Sequence, residues 1–319
     1  MISVIGEALV DLVVSPDRRV DAARGGAPLN GARAASRLDA PVSFTGGLSV
    51  DRFGRLLDGA LREDGVAVTA PPVDAPTTLA LAEIDESGSA SYRFYLDGTA
   101  APLGDAAAAS VDGDRPGVVV TGGLGLVLEP MATSIERLLV DLATTRPANR
   151  PLVVVDVNAR PAVVNDLGLF RTRVHTVVAA SDLVKVSDED LAVLSPGDEP
   201  ADAAAALLDL GAAAVILTAG AAASTVFVGD QRRDVSPGRL PGAVVDTIGA
   251  GDTFLGAIVA WLTRHDARLD RTALSLDAVA EAVAVGHAAA GVVVTRRGAD
   301  PPNRADLGDA WPDTDPRPG

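Results

Sequence analysis

A chain of 319 residues, 48% hydrophobic but only 3% aromatic, can fill one large α/β domain or two small ones with an aliphatic core. Its net charge of -16 argues against a nucleic-acid partner, because no basic stripe is present to meet a phosphate backbone. The absence of cysteine excludes disulfides, thiolate nucleophiles and zinc–thiolate centres, and Lys185, the only lysine, excludes both a GxxxxGK[ST] loop and the strand lysine of protein kinases. Any ATP chemistry must then rest on backbone amides, arginine and a cation. The histidines His175, His265 and His287 are far apart and lack metal-ligand spacing.

In chain order, Ile2–Ile5 predicts a buried strand. The segment has no basic flank and is followed by Glu7 and Asp11, so no leader is expected and a cytoplasmic protein is. Val10–Val14 predicts an extended piece before the turn at Ser15-Pro16-Asp17. Helices are expected from near Pro28 and Phe53. Thr77–Ile84 and Ser91–Leu96 alternate around the turn cluster Asp85 to Ser89 and predict a hairpin. Buried strands follow at Val118–Thr121, Leu152–Val155, Leu183–Lys185, Val215–Thr218 and Val292–Thr295, with helices from near Pro130, Ala201, Ala250 and Leu276. The most membrane-like stretch, Ala203 to Val228, contains Asp209 and several glycines and divides into a helix and two strands, so no membrane partner is expected.

This βαβα rhythm with Val-rich strands predicts a doubly wound, mainly parallel central sheet with helices on both faces. The pieces at about 10–24 and 74–99 interrupt it and predict a small antiparallel β lid. One domain over residues 1–302 is expected. The segment 303–319, rich in Pro, Asp and Gly, is expected to be a mobile tail.

The most informative motif is Asp246-Thr247-Ile248-Gly249-Ala250-Gly251-Asp252-Thr253-Phe254. Gly249 and Gly251 allow a tight turn and close ligand approach, and the helix that follows offers unpaired N–H groups to an anion. A carboxylate placed there, Asp252, would repel a resting pyrophosphate but would suit a reaction that deprotonates a hydroxyl beside a phosphate. The dinucleotide-binding fingerprint needs a third glycine where Phe254 stands, which weighs against an NAD-dependent oxidoreductase.

Four further segments lie ahead of helices or at strand ends, where ligands of parallel sheets bind. Gly25-Gly26 with Asn30 offers backbone approach and a side chain suited to sugar hydroxyls. Asp156-Val157-Asn158-Ala159-Arg160 places a cation for phosphate. Lys185-Val186-Ser187-Asp188-Glu189-Asp190 either orders waters around a cation or starts a helix. Thr218-Ala219-Gly220 could lie under a nucleotide phosphate.

Taken together, Gly25-Gly26-x-x-x-Asn30, Gly46-Gly47, Asp51-x-Phe53-Gly54 and the Asp246–Phe254 motif resemble the ribokinase-like (PfkB-type) carbohydrate kinases over about Met1 to Pro302. The resemblance implies transfer of the ATP γ-phosphate to a sugar, with Asp252 as base and the amides of Gly249, Ala250 and Gly251 as anion hole. It implies that Asp11, Gly25, Gly26, Asn30, Tyr95 and Arg160 bind the sugar, Tyr95 as a lid aromatic. It implies that Lys185, Ser187, Thr218, Gly220, Gly249, Gly251 and His287 bind the nucleotide. Mg²⁺ would accompany ATP, with Asp190 acting through water, and Asp246 would mark a K⁺ site. The family's Asn-x-x-Glu is Ser187-x-x-Asp190 here, which shortens the carboxylate arm and removes the amide.

The substrate motifs Gly6-Glu7-Ala8-Leu9-Val10-Asp11 and Phe94 to Ala100 look most like fructokinases. Kinases of 2-keto-3-deoxygluconate share much of them, and ribose, nucleoside and inositol kinases are further alternatives. A sugar-binding module without catalysis is the alternative from another class. A lid with an apolar exposed face would allow a homodimer through it.

Overall fold

The structure is a computed structural model that describes residues 1–15, 17–84, 90–109, 117–144, 150–265 and 269–312. In chain order its elements are β1 (Ile2–Ile5), β2 (Leu9–Val14), β3 (Val20–Gly25), α1 (Ala27–Arg37), β4 (Val42–Thr45), α2 (Arg52–Glu63), β5 (Ala67–Val68), β6 (Leu79–Ile84) and β7 (Ala90–Tyr95). Then follow β8 (Val118–Gly122), α3 (Met131–Ala143), β9 (Leu152–Asp156), α4 (Leu167–Ala179), β10 (Leu183–Ser187), α5 (Asp188–Leu194), α6 (Pro200–Leu210) and β11 (Ala214–Thr218). The last are β12 (Ser224–Val228), β13 (Gln231–Val235), α7 (Ala250–His265), α8 (Leu276–Val293) and α9 (Arg304–Leu307).

Among the described residues the large sheet has nine strands in the order β13-β12-β11-β10-β9-β8-β1-β4-β5. All pairings from β5 to β11 are parallel, and β12 and β13 add an antiparallel edge. The inner strands are continuous aliphatic runs because both faces are covered. Ile2, Val4, Val154 and Ile216 pack with Leu29 of α1, Ile258 of α7 and Val283 of α8. Ile5, Val153, Val155 and Val215 pack on the other face with Ile135 of α3, Val174 of α4 and Leu207 of α6.

The second sheet has four strands in the order β3-β2-β6-β7. It is the expected small sheet, with one refinement. Its outer pairs are antiparallel, whereas β2 and β6 run parallel. A parallel pair needs a long crossover, and the chain from β3 through β5 supplies it. The hairpin turn expected at 85–89 lies outside the described residues.

Two expectations are corrected. Val292–Thr295 is not a strand: α8 runs to Val293, with Val294 as its C-cap. An apolar run of four residues does not distinguish a buried strand from the end of a buried helix. The same helix is long and apolar enough to cross a membrane by length and composition. Its apolar side is committed to the core against α7, through Val279, Ala282, Val283 and Val285.

The segment from 303 does not behave as a mobile tail throughout. Asn303 caps α9 through a reciprocal capping box with Asp306, and Trp311 is only 3% exposed, packed edge-on against Trp261. Burial of one indole outweighs the poor helix and core propensity of its neighbours. Residues 313–319 lie outside the described residues.

Candidate active site

The carboxyl ends of β1, β8, β9, β10 and β11 converge on one rim of the large sheet, and α7 begins above it. Gly249 turns the chain into α7 at φ 74°, and a Cβ there would meet that of Ala299 at 2.6 Å. The turn therefore requires glycine. Asp252 lies in the first turn of α7. Of the three amides expected to form an anion hole, that of Ala250 donates to the Thr247 carbonyl at 3.2 Å. Gly251, the second residue of the helix, has no intrahelical acceptor for its N–H.

The motif that ends β3 meets this turn from the other side. Gly26 caps α1 at φ 104°, and a Cβ there would lie 2.6 Å from the Glu7 carbonyl oxygen. Asn30, one turn into α1, donates from Nδ2 to Asp252 Oδ2 at 2.9 Å. Its own Oδ1 is buried without a hydrogen-bond partner. Asp11 lies over Gly25, where a Cβ would be 2.2 Å from its Oδ2. Two glycines thus allow the small sheet to bring a carboxylate down beside Asp252. Burial, and secondarily the charge of Asp252, push the Asp11 carboxyl up to about 6. Asp252 itself is raised by burial, against which the Asn30 hydrogen bond, Lys185 and Arg160 all act.

Strand alternation corrects the expected lid aromatic. Asp11 pairs with Ala80, and Ala80 with Phe94, so these three share a face. Tyr95 falls on the opposite face and is 48% exposed. Phe94 is the aromatic on the side of Asp11.

Asp156 ends β9 and accepts both oxygens' worth of contact from Lys185, at 2.9 and 3.0 Å from Nζ. Asn158 turns the chain after it at φ 38°. Arg160 is exposed and donates to its neighbouring carbonyl, that of Ala159, at 3.0 Å. Ser187 and Thr218 are register partners at the ends of β10 and β11, with Gly220 exposed beyond them at φ 53°.

Asp190 does not fit its expected role with magnesium. One oxygen accepts from the Ala159 amide at 2.7 Å, the other from the Ser187 amide at 2.8 Å, and the residue is 3% exposed. It completes the capping box of α5 and fastens the loop after β9. Among the described residues no group of three or more His, Asp or Glu is arranged to hold a metal ion.

Asp246 joins two loops, accepting from the amides of Ile248 at 3.0 Å and Gly298 at 2.9 Å. Like Asp190 it accepts one bond per oxygen, but it is only half-buried, so its remaining lone pairs can be reached by a hard cation. His287 on α8 lies edge-on to Phe254 and 3.1 Å from the Val235 carbonyl, which ties its ring between α7 and β13. Burial lowers its pKa, so the ring is neutral at neutral pH.

Glu7 belongs to this site although it was not among the expected residues. It is 2% exposed and bridges two loops, accepting from the Ala27 amide with Oε1 and from the Gly125 amide with Oε2, both at 3.1 Å. Burial dominates its titration, Asp252 adds to it, and together they lift it to about 8 in spite of these bonds. Between its ordinary value and about 8 the folded chain binds this proton and the unfolded chain does not, so stability falls as pH rises through that window. Glu7→Gln removes the effect. Its melting temperature relative to the parent should therefore improve between about pH 5 and about pH 8 in thermal melts. A pH-independent difference would contradict the assignment.

A carboxylate at a helix N-terminus beyond the strand ends, approached by Asp11 of a second sheet, is the arrangement expected of a small-molecule phosphotransferase of ribokinase-like fold. The profile of the pfkB family carbohydrate kinases matches residues 1–306, and the chain belongs to that family. A fructokinase from Rhizobium leguminosarum bv. trifolii is 33% identical over 283 residues, spanning 87% of this chain and 84% of that protein. A crystal structure of fructokinase with bound ATP from Xylella fastidiosa is 26% identical, with a TM-score of 0.80 over 93% of each chain. A double mutant of fructokinase from Vibrio cholerae O395, in a form with fructose, ADP and potassium ion, has a TM-score of 0.83 over 98% of each chain at 24% identity. The chain is an ATP-dependent sugar kinase, a phosphotransferase acting on a sugar hydroxyl.

Proposed function

We propose that the chain is a fructokinase, transferring the γ-phosphoryl of ATP to a hydroxymethyl of fructose. The contact between Asn30 and Asp252 at 2.9 Å carries this reading, because it orients the base where the sugar-binding and anion-binding turns meet. Asp252 takes the proton of the acceptor hydroxyl, the oxygen bonds to the γ-phosphorus, and the bond to the bridging oxygen breaks to release ADP. Gly249 and Gly251 present backbone N–H groups to the transferring group. Asp11 and the free Oδ1 of Asn30 accept from sugar hydroxyls, and Phe94 covers the sugar from the small sheet, which acts as a lid. Thr218, Gly220 and Ser187 lie along the nucleotide, and Asp246 would hold potassium. A cytoplasmic setting is part of this reading.

Electrostatics favour a neutral ketose over 2-keto-3-deoxygluconate. Glu7, Asp11 and Asp252 are close enough that Asp252 raises both of the others. Glu7 holds its proton below about pH 8, so a substrate carboxylate would add its negative charge beside Asp11 and Asp252, and juxtaposed like charges cost several kcal/mol. ADP release measured across fructose, ribose, 2-keto-3-deoxygluconate, adenosine and inositol, with and without potassium, tests this. Fructose should exceed the acid sugar in kcat/KM by about tenfold or more, and potassium should raise the rate. A preference for the acid sugar would overturn the assignment.

A further inference from the structure

Beneath the first turn of α7 lies a charge pair that the transfer steps above do not use. Lys185 on β10 directs Nζ at both carboxylate oxygens of Asp156, at 2.9 and 3.0 Å, and both side chains are buried. A Cβ built on Gly251 would stand 3.5 Å from Nζ, so the ammonium lies against the second residue of α7. Asp156 and Asp252 line one cavity with Thr121, Gly122 and Gly256. In such a water-poor space charges act on each other more strongly than in solvent.

Stability alone is a poor account of this pair. Two charges withdrawn from water regain little net energy from each other, and apolar residues of similar volume often serve a fold as well. The residue type is also informative. Every other strongly basic side chain in the sequence is arginine. A guanidinium is a wide planar fork, whereas an ammonium is a compact point charge suited to the space under a helix turn.

We propose that Lys185 is a positioning residue for phosphoryl transfer: its ammonium, held under α7 by Asp156, favours the anionic form of Asp252 and the negative charge brought to the Gly249–Gly251 turn. This rests on the reading of Asp252 as the base. The titratable and charged groups around Asp252 are Lys185 from β10, Asp156 from β9, Arg160 from the loop after β9, Glu7 from the loop after β1, protonated below about pH 8, and Asp11 from β2. From α1 comes the neutral Asn30. Lys185 and Arg160 oppose the acids. Arg160 is exposed and screened by solvent, so the buried ammonium dominates. Burial works against the charge of Lys185, yet Asp156, Asp190 and Asp252 keep its pKa above the ordinary lysine value.

The test is a direct titration of the Asp252 carboxyl by NMR of the free protein labelled with ¹³C at aspartate carboxyls. Its signal is identified by its loss in Asp252→Asn. Lys185→Met should raise the apparent titration midpoint by about one pH unit or more, and Asp156→Asn should lower it. The double variant should return near the parent value, since opposed single effects largely cancel. The acid limb of kcat should move in the same directions. A folded Lys185→Met with an unmoved midpoint, or shifts of one sign in both single variants, overturns the proposal. If Lys185→Met does not fold, the comparison of Asp156→Asn with the double variant decides, because adding the lysine change must raise the midpoint again. The titration needs no substrate. Undiminished turnover in Asp252→Asn would sink the base role separately from this measurement.

Discussion

Asp252→Asn should lower turnover by about 10² to 10⁴-fold while leaving sugar and nucleotide binding largely intact. The substitution keeps the shape of the side chain, and the new amide can still offer its oxygen to Asn30 Nδ2, which lies 2.9 Å from Asp252 Oδ2. The helix start therefore survives and only the proton acceptor is lost. Burial already raises the titration of Asp252, so the parent rate should climb with pH through an acid limb. The residual rate of the variant should lack that limb. ADP release and calorimetric titration of fructose and a non-hydrolysable ATP analogue separate the two effects. Near-parental turnover would remove Asp252 from the mechanism.

Gly249→Ala should cost about 10² to 10³-fold in kcat, the loss seen when one preorganised oxyanion donor is removed. At φ 74° an alanine is strained, and its Cβ would stand 2.6 Å from that of Ala299 and 3.2 Å from its Cα. Relief requires moving either the turn or the loop at Ala299, to which Asp246 is fastened through the Gly298 amide at 2.9 Å. Both movements misplace the N–H groups at the start of α7. The sugar contacts proposed at Gly25, Gly26 and Asn30 lie on β3 and α1, so the KM for sugar should change much less than kcat. Steady-state kinetics with the sugar and ATP varied separately would check this, and a defect confined to sugar KM would contradict it.

Much of the architecture was legible because the inner strands are aliphatic runs bounded by glycines and polar turns. Helix starts at Ala27, Arg52, Met131, Pro200, Ala250 and Leu276 match those expected to within one or two residues. α4 was not anticipated, since Leu167–Ala179 mixes β-branched and polar residues around its whole circumference and has a weak apolar stripe. The end of α8 was misread because Val292, Val293 and Val294 are consecutive β-branched residues without helical period, although only Val293 of the three is fully buried.

The site was legible where glycines forced a shape and illegible where partners were backbone groups. Asp252 and Asn30 announced themselves through the turns beside them. Glu7 did not, because its partners are the amides of Ala27 and Gly125, which any residue supplies. The choice between Phe94 and Tyr95 depended on the β6–β7 register, and a shift of one residue reverses the face. Asp190 illustrates a different ambiguity. A Ser-x-x-Asp that could face a cation is also a capping box, and the buried carboxylate gives one oxygen to that box and the other to the Ala159 amide.

The chain's two tryptophans are Trp261 and Trp311, with ring centroids 5.3 Å apart and Arg264 stacked 5.5 Å from the second ring. Tryptophan emission consequently arises from one patch, where the C-terminal segment docks on the far end of the helix that begins beside Asp252. Both tyrosines, Tyr92 and Tyr95, lie instead on β7 of the small sheet. Changes in tryptophan emission on adding ligands thus report on the far end of that helix, and changes in tyrosine emission report on the sheet.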